Sequence, residues 1–164
     1  MLLQEFFEYK NKLMKMMCEN DELVKLVVDP DTGDDFDPLT LPYEQIFPFE
    51  YIPETTDKGK TYICFDVDIP QVINEVVYEP IIWIWVFTHK SLLRLPEGGV
   101  RTDRIAQILD EMLNGNRDLG LGEVNLKTVA RFSPVEDFQG RVLAYQCTDT
   151  NRWGVRKPVP SRRR

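Results

Sequence analysis

The stretch Ile81-Ile82-Trp83-Ile84-Trp85-Val86-Phe87 decides the fold. Its seven apolar residues show no polar alternation, and β-branched and aromatic side chains dominate them. A strand covered on both faces reads this way. The run is far short of the roughly 20 residues a helix needs to cross a bilayer. Tyr78 to Lys90 is therefore expected to form the heart of a sheet. One face meets helices; the other meets another part of the chain or another subunit. Trp83 and Trp85 point the same way, with core burial as the default reading and an interface as the alternative.

Moving outward, Thr61 to Ile69 alternates. Ile63, Phe65, Val67 and Ile69 fall on one face; Tyr62, Cys64, Asp66 and Asp68 fall on the other, which is expected to be exposed. Gln45 to Ile52 is an aromatic strand, placed at an edge or bulged because Pro48 lacks a ladder donor. On the other side, Ser91 to Gly99 is a connection. Ile105, Ile108, Leu109, Met112 and Leu113 follow helical spacing, with Gly115 where a left-handed cap belongs. Gly120 and Gly122 open a final hairpin, with strands over Val124–Phe132 and Arg141–Thr148. The N-terminus reads as a helix with Leu3, Phe6, Phe7, Leu13, Met14 and Met17 as its apolar stripe, and Asn20 caps a second short helix. Helices segregated against a mostly antiparallel sheet make a two-layer α+β fold, packed by the N-terminal helix and one central helix.

The 164 residues suit one domain over 1–151, with an acidic loop within 29–43, followed by a basic arm over 152–164. The arm has six basic residues and no acidic one. With 20 Lys+Arg and 27 Asp+Glu the chain carries −7, and 43% hydrophobic residues exclude global disorder. The charge is split. Residues 1–80 hold 6 basic and 18 acidic side chains, a balance of −12; residues 81–164 hold 14 and 9, a balance of +5. Such asymmetry concerns partners rather than fold. No charged, apolar, small-residue leader is seen at the N-terminus.

Chemical motifs are weak. Cys18, Cys64 and Cys147 are widely spaced and accompany a single histidine, so the ligands of a zinc site are missing and buried free thiols are expected. No cofactor is expected. The loop aspartates Asp29, Asp31, Asp34, Asp35 and Asp37 fail the calcium-loop pattern at its fifth, sixth and twelfth positions. Asp31-Thr32-Gly33 lacks the buried apolar setting of an aspartic protease. A solvated acidic loop remains, with loose divalent-ion binding as the minor alternative. Asp66 with Asp68 forms a lone pair of carboxylates, Gly98-Gly99 lacks a phosphate-loop spacing, and His89 reads as a surface residue at a strand end. The chain is not expected to be an enzyme.

Several segments resemble tail terminator or tail-completion proteins from the head–tail neck of long-tailed bacteriophages. They are Trp85-Val86-Phe87-Thr88-His89-Lys90, Leu95-Pro96-Glu97-Gly98-Gly99-Val100-Arg101-Thr102-Asp103 with the helix to Asn114-Gly115, Gly120-Leu121-Gly122-Glu123, Arg131-Phe132-Ser133-Pro134 and Gly140-Arg141. The resemblance runs from about Tyr43 to Asn151. It implies an α+β structural virion protein, assembled in the host cytoplasm, that forms a homohexameric ring, ends tail-tube growth and joins tail to neck. The implied partners are other copies of the chain, the tail-tube protein and neck or connector proteins, with genomic DNA passing through the channel and no membrane. Its motifs carry no functional residue over. A closed ring needs two different complementary faces, and the acidic and basic halves supply them.

Candidate interface residues are Phe47, Phe49 and Tyr51 on the edge strand, Trp83 and Trp85, and Trp153, Arg156, Lys157, Arg162, Arg163 and Arg164 on the arm. The five loop aspartates are candidates for facing the channel. The rival readings are a head-completion or connector-binding neck protein, a nucleic-acid module using the arm, and a small enzyme around Asp66, Asp68 and His89.

Overall fold

The computed structural model describes residues 5–28, 32–33, 35–54, 59–70, 77–119, 122–147 and 149–150. Helix α1 (Glu5–Cys18) leads into α2 (Asp21–Val27). Asn20 caps α2 by accepting the Leu23 amide on Oδ1 at 2.9 Å, and Asp21 and Glu22 lie at the positive end of its dipole. The strands are β1 (Ile46–Phe47), β2 (Thr61–Asp68), β3 (Val77–Tyr78), β4 (Ile81–His89), β5 (Val124–Phe132), β6 (Phe138–Cys147) and β7 (Asp149–Thr150). Helix α3 (Arg101–Leu113) lies between β4 and β5 in sequence, and Gly115 just beyond it takes φ 78°.

Five strands form one sheet in the order β1-β2-β4-β6-β5, while β3 and β7 pair separately. All neighbours in the main sheet are antiparallel except β1 with β2. The apolar run of β4 is central, between β2 and β6, as its lack of alternation predicts. The fold is thus α+β with a mostly antiparallel sheet and an N-terminal helix. The expected Gln45–Ile52 strand shrinks to two residues, because Pro48 ends the ladder. β6 begins three residues earlier than expected, shortening the hairpin connection.

Ile63, Phe65 and Val67 of β2, Ile82, Ile84 and Val86 of β4, and Leu143 and Tyr145 of β6 face the helices. They pack in one core with Leu13 and Met17 of α1, Leu23 and Val27 of α2, and Ile105, Ile108, Leu109 and Leu113 of α3. Each such aliphatic side chain contributes roughly 1.5–3 kcal/mol on full burial. The α1 stripe is as expected at Leu13 and Met17, which are buried, and at Phe6 and Met14, which pack against the core; it is corrected at Phe7, 73% exposed, while Tyr9 takes an inward place. Leu3 lies outside the described residues.

The second face of the sheet is also corrected. Tyr62 and Cys64, expected on a wet face, are buried there with Phe47, Phe87 and Phe138. Gly140 makes that packing possible. It pairs with Phe87 on β4 and Phe132 on β5, and the two rings approach to 5.7 Å over it. A Cβ at Gly140 would lie 1.7 Å from the Val86 carbonyl oxygen.

Arg101 holds the helical layer together. Its side chain is buried, with Nε donating to the Leu92 carbonyl and Nη1 to the Leu26 carbonyl, both at 2.8 Å. Desolvation lowers its pKa, but a guanidinium stays charged. The first turn of α3 is thereby tied to the last turn of α2. Arg104 and Glu22 pair across the same two helices.

Candidate functional site

The two edges of the main sheet differ in chemistry. At the β1 edge the chain folds back on itself. The Leu41 carbonyl accepts from the amides of Glu44, Gln45 and Ile46 at 3.1, 2.9 and 3.0 Å, and the Tyr43 amide donates to the Ile46 carbonyl at 2.8 Å. Tyr43 takes φ 64° to make this turn, an uncommon conformation for a side chain of its size. Beyond β1, the flank of β2 is blocked by its own side chains. Asp66 Oδ1 accepts the Val67 amide at 2.8 Å and pairs at 2.6 Å with Lys10 Nζ, which also donates to the Pro48 carbonyl at 2.9 Å. An inward-turned charge of this kind discourages strand pairing.

What this edge presents outward is apolar and acidic. Tyr43, Phe49 and Ile52 are exposed, as are Glu44 and Glu50. The rings of Tyr43 and Phe49 lie 6.3 Å apart. Phe47, a candidate interface residue, is instead buried at 6% exposure, stacked 4.2 Å from the half-buried Tyr51. Proline at 48 turns the next aromatic, Phe49, outward.

The opposite edge is open among the described residues. There β5 pairs only with β6 and is exposed from Lys127 to Arg131, with Val129 at 51%. Its start is tied down: the Val124 amide donates to the Asn116 carbonyl at 3.0 Å and the Leu126 amide to Asn114 Oδ1 at 3.2 Å. A bulge follows between Leu126 and Thr128. Lys127 and Arg131 make this edge basic. Between β5 and α3 lies a groove of about 450 Å³ with Ala106, Leu126, Val129 and Leu143 among its lining residues. Asp103 and Arg141 pair at 2.6 Å on its wall, and that hydrogen bond raises the Arg141 pKa. Asp110 accepts the Tyr145 hydroxyl at 3.2 Å; burial, more than this carboxylate, pushes the phenol pKa up.

Trp83 and Trp85 are half-buried on the helix-free face, stacked with centroids 6.3 Å apart. Trp85 packs against the aromatic cluster. The trio considered for chemistry does not converge. Asp66 pairs in register with Trp83, six residues from His89 along β4, so the ladder separates them by about 20 Å. Asp68 is exposed at the same end as Asp66.

His89 corrects the surface expectation: it is buried, 2.8 Å from Ser91 Oγ through Nδ1, with its ring edge-on to Phe138. Burial pushes the Cys64 thiol up to about 12 and raises Cys18; all three cysteines are buried, as expected. Among the described residues, no group of three or more His, Cys, Asp or Glu is placed to hold a metal ion. Nor is any helix among them long and apolar enough to cross a membrane.

Asp29, Asp31 and Asp34 of the acidic loop, and Trp153, Arg156, Lys157, Arg162, Arg163 and Arg164 of the arm, lie outside the described residues. Asp35 and Asp37 are exposed, and Asp37 Oδ1 caps the short turn Pro38–Thr40 by accepting the Leu39 amide at 3.0 Å. The basic open edge and its groove were not anticipated. The available signal was Lys127 and Arg131 flanking a strand too polar to be buried on both faces.

Comparison with known families supplies the class: the chain is of a phage-derived kind. It belongs to the YomW family, associated with an SPbeta-like Bacillus phage region, whose model matches residues 12–147. No curated protein matches the chain.

Proposed function

We propose that this protein is a structural component of the phage particle without chemistry of its own. In this reading it forms a closed ring at the top of the tail, ends tube growth and joins tail to neck. The observation that carries the reading is the unlikeness of the two sheet edges. One is acidic with outward aromatics, and its strands β1 and β2 are closed to further pairing; the other is basic and, among the described residues, open. A head-to-tail ring requires two different faces on each subunit, and charge complementarity sets register and encounter rate. The phage-derived family supports the setting. Asp35 and Asp37, with the rest of the acidic loop, would face the channel and keep passing DNA from adhering. Mass photometry and negative-stain images of the full chain, alone and with tail-tube protein, test the reading. Rings of uniform size are expected; monomers under both conditions would overturn it.

A further inference from the structure

The open edge of β5 is unusual for a nine-residue strand, since edges of this length are ordinarily capped, covered or shortened. Among the described residues only its first part is tied down, and the rest borders the apolar groove against α3. An edge strand beside a helix groove suits addition of an extended segment. The main-chain ladder supplies affinity, and alternate side chains enter the groove.

Resting on the ring reading, we propose that the occupant is Phe49-Glu50-Tyr51-Ile52 of a second copy, added antiparallel to β5. The segment is bounded by Pro48 and Pro53, which limits it to four residues. It has no regular structure within its own chain, and three of its four residues are exposed.

The register follows from the chemistry. Val129 and Arg131 share the helix-side face of β5, opposite Leu143 and Arg141 of β6. Ile52 set against Val129 places its side chain at the groove and puts Glu50 against Arg131. The same register brings Tyr51 to Ala130 and Phe49 to Phe132 on the other face. One apolar contact, one ion pair and one aromatic pair thus fall into place together, and cross-strand pairs of these kinds are stabilising.

Within one chain β1, which leads into the segment, and β5 are opposite edges of the sheet, four strand spacings or about 19 Å apart, and Tyr51 stays packed on Phe47 and Tyr62 at the β1 end. A covalent link between them must therefore join two copies. The test is oxidation of an Ile52→Cys/Val129→Cys variant of the full chain, with Ile52→Cys/Ala130→Cys as the wrong-face control. Both sites are exposed, so folding is retained, and the three native thiols are buried. Disulfide-linked multimers are expected from the first variant and at least tenfold fewer from the control.

Rings without cross-links would overturn the interface and leave the ring reading standing. Cross-linked open chains that never close would keep the interface and overturn the ring. Monomers without cross-links at high concentration would overturn both. Charge exchange gives a second readout. Glu50→Arg or Arg131→Glu alone should raise the concentration needed for assembly about tenfold, and the two together should restore it. Two single variants without effect would overturn the proposal.

Discussion

Replacing Gly140 with alanine is expected to unfold most of the protein's margin of stability. The added Cβ would meet the Val86 carbonyl oxygen at 1.7 Å and the Phe87 Cα at 2.7 Å, both backbone atoms of the central strand. Relief requires the first contact to open to at least 3.0 Å, a shift of about 1.3 Å. Close-packed interiors transmit such a shift rather than absorb it. β6 cannot move away from β4 without lengthening ladder hydrogen bonds, each worth about 1 kcal/mol net. It also lifts the Phe87 and Phe132 rings from the floor they share. Two or three weakened bonds and the displaced rings together cost about 4 kcal/mol, in the extreme range for a point substitution. A domain of this size has a total of roughly 5–15 kcal/mol. Urea unfolding followed by tryptophan fluorescence measures the loss, with Gly33→Ala as the control. Among the described residues, a Cβ at Gly33 would have no atom within 4 Å, so that change should fall within about 0.5 kcal/mol of the parent. A Gly140→Ala midpoint within about 1 kcal/mol of the parent would refute the close approach of β4 and β6.

Arg101→Lys should cost about 2 kcal/mol, because one ammonium does not reproduce the guanidinium fork that reaches both Leu92 and Leu26 carbonyls, and each charge-assisted bond is worth roughly 1.5–3 kcal/mol. Arg101→Ala should cost more, about 3–5 kcal/mol, and paired denaturation curves check the order. Removing the guard on β2 with Lys10→Ala/Asp66→Ala should change stability by only about 1 kcal/mol, yet raise self-association in light scattering, since the flank beyond β1 then opens. Stability should also fall at alkaline pH. The folded Cys64 thiol has its pKa raised from 9.0 to about 12, so its contribution is complete below pH 9 and is lost as pH rises through that window. The loss is at most about 1.4 kcal/mol per pH unit, and a Cys64→Ala variant should show a shallower alkaline fall.

The elements with an unambiguous period were legible from sequence. β4 declared itself by an unbroken apolar run, α3 by helical spacing, and α2 by Asn20 with two acidic neighbours. What escaped depended on contacts between distant segments. Tyr62 and Cys64 alternate with core residues as exposed positions do. They are buried because Phe47 and Tyr51, from more than ten residues away, close over that end of the sheet. His89 likewise follows a strand rich in aromatics, but its burial is decided by Phe138 on β6. Phe7 has the spacing of a stripe residue without the facing, since Tyr9, a more polar side chain, takes the inward place. Of the candidate interface residues on the edge strand, Phe49 is exposed and Phe47 is buried, a split that strand alternation does not encode. The groove beside β5 was not legible, because no local pattern encodes the distance between a helix and a strand edge.

The sheet's organisation explains why charge and edge belong to one argument. Antiparallel neighbours on both sides of β4 consume its hydrogen-bonding groups, so association through the main chain of this five-stranded sheet falls to β1 or β5. At β1 the turn through Tyr43 and the Asp66–Lys10 pair occupy the available groups. Two identical open edges would favour a twofold dimer, in which the same patch meets itself. Blocking at β1 removes that solution there and leaves it to β5 alone. The basic side chains Lys127 and Arg131 further oppose β5 pairing with its own copy, because like charges would face each other across the join. An acidic, apolar segment is then the complementary match, and the chain carries one at its opposite edge. Such an arrangement repeats from subunit to subunit in one direction, and it closes into a ring when the rotation between copies divides a full turn.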